Sequence, residues 1–184
     1  MADTNQSGTA ELIIDGRSYQ LPLIEGMEGD RAIDIRGLLK NTGYTVFDTG
    51  YKNSASCSST ITYLDGNKGL LLYRGYAIED LAARCLFIEV AYLLLHNKLP
   101  NREELESFRT LLEQHALIHA DMIHFFDKFP PNASPMSILS VMVNSLHNFY
   151  PEMSDDPLKN IDMTASRLMS KIRTVAAFFY KKSI

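Results

Sequence analysis

Polar and apolar positions alternate along the first quarter of the chain and then give way to helical spacing. Leu12-Ile13-Ile14, Asp15-Gly16 and Tyr19-Gln20-Leu21 predict a β-hairpin closed by an Asp-Gly turn. Ile33-Asp34-Ile35 predicts a brief strand, and Thr45-Val46-Phe47 another, stopped by Asp48-Thr49-Gly50. A second hairpin is predicted from Ser59–Leu64 and Leu70–Arg74. Between them, Asp65-Gly66 and Gly69 are read as the source of the positive φ angles a tight reversal needs. After Gly75 the period changes. Ile78–Cys85 predicts a short helix, and Phe87–His96 an apolar one with Ile88, Ala91, Tyr92 and Leu95 at helical spacing. Pro100 ends it. Asn101-Arg102-Glu103-Glu104 is a capping-box pattern opening a helix with Leu105, Phe108 and Leu112 inward. Ala120–Phe129 predicts a helix stopped by Pro130-Pro131. Ser134-Pro135 reads as a cap with proline at the first helical position, opening a helix over Met136–Phe149. Pro151–Pro157 is an acidic loop, and Ile161–Lys182 the last helix. That helix meets no Gly, Asn or Pro stop signal before Ile184, which predicts a chain that continues.

The pattern predicts a mainly α fold: a small β-rich N-terminal region, then several antiparallel helices. Three regions follow: an acidic β-rich stretch at 1–50, a hairpin at 51–76, and helices over 77–184. Helices apolar on most sides, as at Val90–Leu95 and Ala176–Tyr180, belong inside a larger helical protein or an oligomer.

Composition narrows the function. The 184 residues are 46% hydrophobic and 22% charged, the balance of a globular protein. The formal net charge of −4 argues against a general nucleic-acid binder, which needs a broad basic surface. No apolar run approaches the ~20 residues of a membrane span. The first residues carry neither a basic flank nor an apolar stretch, so they read as neither signal nor transit peptide. With two cysteines no disulfide framework is expected, and the cytoplasm is the expected compartment. The charge is uneven. Residues 1–50 hold four basic and eight acidic side chains; residues 159–184 hold six basic and one acidic. A basic terminal helix suits phosphate groups or acidic subunits, but a solvated helix end whose lysines complement the helix dipole is the better reading.

Candidate chemistry is sparse. His115 and His119 are four apart, but Ala116 stands where a zinc-protease helix carries its glutamate, so a satisfied imidazole is the better reading and no metal is expected. The glycines form neither a dinucleotide fingerprint nor a phosphate loop. The methionines, including Met136, Met142, Met163 and Met169, read as core filler. No cofactor is expected, and no catalytic residue is assigned.

Several stretches together resemble citrate synthase, specifically the N-terminal portion of the hexameric bacterial (Gram-negative) type. They are Ile33-Asp34-Ile35-Arg36, Phe47-Asp48-Thr49-Gly50-Tyr51, Ile61-Thr62-Tyr63-Leu64-Asp65-Gly66, Leu72-Tyr73-Arg74-Gly75-Tyr76, Glu89-Val90-Ala91-Tyr92-Leu93-Leu94 and Pro135-Met136. The resemblance runs from about residue 10 through most of the chain. It implies an incomplete large helical domain and a parent enzyme that condenses oxaloacetate with acetyl-CoA, working as a homo-oligomer, hexamer or dimer. The family's catalytic histidines and aspartate, and the arginines that hold oxaloacetate, lie in its C-terminal half, so the chain alone is expected to be inactive. A 2-methylcitrate synthase is a close alternative, and a non-catalytic assembly or nucleotide-sensing module a distant one.

The resemblance also implies an allosteric NADH site at His115, Tyr150, Arg167 and Lys171. Arg167 and Lys171 are four apart, so one helical face carries two cations suited to a pyrophosphate. Gln114 departs from the pattern: NADH-sensitive relatives commonly have Arg there. Loss of that cation is expected to cost about 1–3 kcal/mol of binding. Arg173, where Pro is usual, adds a cation nearby.

Overall fold

Residues 5–130, 132–151 and 161–183 are described in a computed structural model of the chain. They divide into two units, one ending at Thr60 and one beginning at Ile61.

The first unit is built on a three-stranded antiparallel sheet, β1 (Asn5–Ile14), β2 (Arg17–Glu25) and β3 (Arg31–Ile33), in the order β1-β2-β3. The predicted first hairpin is present. Ile14 pairs with Arg17, and Asp15 and Gly16 both take positive φ, 52° and 77°, the geometry a two-residue turn requires. The register shifts between Gln6 and Gly8, a bulge near the start of β1. A five-residue helix, α1 (Leu38–Thr42), follows and ends at Gly43 in the left-handed region. Thr45-Val46-Phe47 is not a strand: it has no ladder partner, and Phe47 is 95% exposed. β-Branched and aromatic residues favour strands only where a neighbour and a face to pack on are supplied.

The second unit opens with β4 (Thr62–Asp65), β5 (Leu70–Tyr73) and β6 (Tyr76–Ala77), again antiparallel and in that order. In the β4–β5 turn, Gly69 takes positive φ, whereas Gly66 does not. Asp65 replaces that contribution: its Oδ1 accepts from the backbone N–H of Asn67 and Lys68 at 3.0 and 3.1 Å. The Tyr-Arg-Gly-Tyr stretch is a second tight turn. Tyr73 pairs with Tyr76 across Arg74 and Gly75, both at positive φ. Arg74 also donates from Nη2 to the carbonyl of Leu94 at 2.7 Å, tying the small sheet to the end of a helix.

The helices are α2 (Ile78–Arg84), α3 (Phe87–His96), α4 (Arg102–Gln114), α5 (Ala120–Phe126), α6 (Pro135–Phe149) and α7 (Ile161–Ser183). The capping box of α4 forms as expected. Asn101 Oδ1 accepts from the Glu104 N–H, and Glu104 Oε2 from the Asn101 N–H, both at 2.9 Å. Lys98 lies 2.5 Å from the other Glu104 oxygen, and this pairing, with the Asn101 N–H, holds the Glu104 carboxyl below its ordinary range. Helix α5 ends at Phe126 rather than Phe129, because Asp127 and Lys128 bond to carbonyls three residues back instead of four. Ser134 precedes α6 with Pro135 in the first turn, but its side chain makes no cap bond. The core joins Met122 and Phe126 of α5, Ile138, Met142 and Leu146 of α6, and Val175 of α7. Phe126 and Phe178 stack across it at 5.4 Å. Met136, expected in the core, is exposed in the first turn of α6. The acidic loop lies outside the described residues over 152–160.

Candidate functional site

Helix α7 carries two of the proposed site residues one turn apart. Lys171 is only 2% exposed, while Arg167 is half-buried. The buried ammonium has a built environment. Its Nζ donates to the carbonyl of His115 at 3.1 Å and to that of Leu117 at 2.6 Å, and it lies 4.0 Å from the centroid of the Tyr150 ring. Two carbonyl dipoles and an aromatic face thus replace the water lost on burial. Tyr150 reaches this position because it caps the C-terminus of α6, its N–H bonded to Leu146 O at 2.9 Å.

The structure therefore brings His115, Tyr150 and Lys171 together, the main-chain carbonyl of His115 accepting from the ammonium. His115 closes α4, and His119 opens α5. The segment between them is not helical, so their spacing does not place both imidazoles on one helix face. His119 instead caps α5, its Nδ1 accepting from the Asp121 N–H at 3.2 Å while its ring lies 5.3 Å from that of Phe149. Gln114, the residue that departs from the family pattern, is the last of α4 and exposed; Arg173 is exposed on α7.

Two neighbours of Lys171 went unnoticed in the sequence. Ser170 Oγ donates to Leu112 O at 2.7 Å, and Thr174 Oγ1 donates to Ala116 O at 2.5 Å. With Lys171 they form a short polar strip on α7, and that strip was the available signal. Together the three side chains serve four carbonyls, of Leu112, His115, Ala116 and Leu117. These lie at or just past the end of α4, where helix carbonyls run out of N–H partners and negative potential collects. A cation there is favourably placed, and each charge-assisted bond contributes about 1.5–3 kcal/mol.

Other histidines meet carboxylates, one across helices and one within a single stretch of chain. His96 Nε2 is 3.1 Å from Asp162 Oδ1, with the imidazole stacked on Tyr92 at 4.0 Å. His124 Nδ1 is 3.8 Å from Asp127, which also pairs with Lys182. That Lys182 contact holds the Asp127 carboxyl below its ordinary range. No described helix is long and apolar enough to cross a membrane.

A family model described as the citrate synthase C-terminal domain matches residues 50–184. Citrate synthase 1 of Mycobacterium tuberculosis, in strains CDC 1551 / Oshkosh and ATCC 25618 / H37Rv, is 42% identical over 186 residues, an alignment covering all of this chain and 42% of the relative. The chain thus spans less than half the length of these curated relatives. Among solved structures, citrate synthase from Thermotoga maritima superposes with a TM-score of 0.64 at 29% identity, over 75% of this chain and 35% of that one. Citrate synthase from Thermoplasma acidophilum, solved with carboxymethyl coenzyme A and oxaloacetate, shares the fold with a TM-score of 0.63 at 22% identity, over 74% of this chain and 37% of that one. A match along most of the chain, joined to strong identity over all of it, places this chain in the citrate synthase family.

Proposed function

We propose that the chain is the N-terminal portion of a citrate synthase of the hexameric bacterial type, whose parent enzyme condenses acetyl-CoA, oxaloacetate and water into citrate and CoA. The observation that supports the citrate synthase part of this reading is the 42% identity along the whole chain. In that reaction a carboxylate takes a proton from the acetyl methyl group while a histidine stabilises the enol. The enol carbon attacks the oxaloacetate carbonyl, and hydrolysis of the thioester releases CoA. On this reading the catalytic histidines, the aspartate and the oxaloacetate-binding arginines belong to the rest of the parent enzyme, and this chain covers 42% of its relatives' length. The purified 184-residue chain is expected to release no thiol from acetyl-CoA and oxaloacetate above background; turnover would overturn the assignment of catalysis to the rest of the parent enzyme.

A second reading concerns regulation, with NADH bound at His115, Tyr150, Arg167 and Lys171 of the parent enzyme. Its support is the convergence of three of these residues around one buried ammonium. Titration of the full-length enzyme with NADH at low salt is expected to show binding weakened by Gln114. An absence of binding there removes the regulatory site and leaves the enzymatic reading untouched.

A further inference from the structure

We propose that His96 and Asp162 form a proton-operated latch, which holds the first turn of α7 on the end of α3 when the imidazole is charged and lets it loosen when the imidazole is neutral. Neither residue belongs to the sites proposed above, so the latch stands apart from both readings.

The two residues come from distant parts of the chain. His96 is the last residue of α3, and Asp162 lies in the first turn of α7. Their facing atoms, Nε2 and Oδ1, are 3.1 Å apart, too close for a water to stand between them. Both atoms are closed off from solvent, and neither has a hydrogen-bond partner among the described residues. The contact is therefore short enough for a bond but lies off the line that a ring N–H needs. Charge is what holds such a pair, because charge acts without alignment. A neutral imidazole supplies none and leaves two buried polar atoms unsatisfied, which opposes docking. An imidazolium facing the carboxylate removes that opposition. The helix ends add to the attraction: a cation is favoured at the C-terminus of α3 and an anion at the N-terminus of α7.

The groups around the pair keep one charge state while an imidazole titrates. On α3, Tyr92 stacks on the His96 ring at 4.0 Å, and burial, above all, pushes its phenol up. On α4, Phe108 meets the same ring edge-on at 6.4 Å and carries no charge. Glu104, also on α4, pairs with Lys98 of the connecting segment at 2.5 Å, a contact that holds the carboxyl down and the ammonium up. That pair is neutral as a whole and stays so from about pH 5 to about pH 8. His96 is thus the group at this corner whose charge changes in that range. Its side chain is 24% exposed and that of Asp162 49%, so protons reach the pair while the contact atoms stay dry. The hold is present below the ordinary imidazole titration, near ~6.5, and is lost as the pH rises through it.

The test follows backbone amide exchange of the 184-residue chain at about pH 5.5 and about pH 8, each rate divided by that of an unstructured peptide at the same pH. Amides 165–168 report the first turn of α7, because their helical carbonyl partners lie within it. Protection there is expected to be about two- to fivefold greater at the lower pH, the size of a partly exposed ion pair. Asp162→Asn keeps the shape and removes the charge, and is expected to abolish that pH difference. His96→Gln removes the titrating group and is expected to do the same. Asp162 is half exposed, so Asp162→Asn decides the matter by itself where His96→Gln does not fold. A contact that only packed the helices together would change protection equally at both pH values. Equal protection at both pH values in the wild type, or a pH difference that survives Asp162→Asn, overturns the latch.

Discussion

Asp34 gives the plainest single-residue account of charge in this protein. Its carboxylate accepts from Arg36 Nε at 2.9 Å, from Nη2 at 2.5 Å and from the Arg36 backbone N–H at 3.0 Å. The guanidinium, then the backbone donor, lowers its pKa to about 2. A depressed carboxyl stabilises the fold fully above its unfolded value of ~3.9 and loses that contribution as the pH falls through the folded value near 2. Arg36→Gln is expected to move the Asp34 titration, followed by its carboxyl carbon shift, upward toward the ordinary range. The wild type should lose its advantage over this variant between about pH 4 and 2; an unchanged titration would show the pair to be idle. Arg36 is largely exposed, so salt should reduce the effect. The Asp-Arg pairing was open to reading from adjacency in the sequence. The role of Lys171 was not. Spacing put it on one face with Arg167, but its partners are main-chain carbonyls, which every residue has and no sequence pattern marks.

Elements were legible where their signals were local. The Asp15-Gly16 turn, the Asn101–Glu104 box and the proline entry to α6 each act within four residues, and each forms. Thr45–Phe47 shows the opposite case, since strand-forming residues need a partner strand that the sequence does not name. The short α1 was missed because five residues carry too little periodicity to read; its left-handed stop at Gly43 was the one cue. Packing between elements sets the larger energies. Met142 on α6 is fully buried among residues of α5, α6 and α7. Met142→Ala is expected to cost about 2–5 kcal/mol in urea unfolding, the usual range for a buried methionine truncated to alanine. A cost under ~1 kcal/mol would mean that the three helices do not pack as described.

At the scale of the whole molecule, the two units differ in how much they bury. Among the described residues, Leu21 and Leu38 are the buried hydrophobics of the first unit; the second holds ten, from Leu81 to Val175. Local opening costs less where few apolar contacts must be broken. Amide exchange is therefore expected to be markedly slower in α5, α6 and α7 than in β1–β3, and equal protection in both units would contradict this. Phe87 and Leu117 of the second unit are largely exposed all the same.

The ten-residue strand β1 has one hydrogen-bonded neighbour among the described residues, β2. Its other side offers a row of main-chain donors and acceptors to a strand of another molecule, the geometry from which fibrils are seeded. The shift of register between Gln6 and Gly8 breaks that row near one end. A bulge bends and twists its strand, so a second copy laid alongside would lose step there. A single out-of-register residue thus acts as a brake on self-templating. Straightening it by deleting one residue at the bulge would leave a cleaner ladder, and a preparation that ages into aggregates sooner.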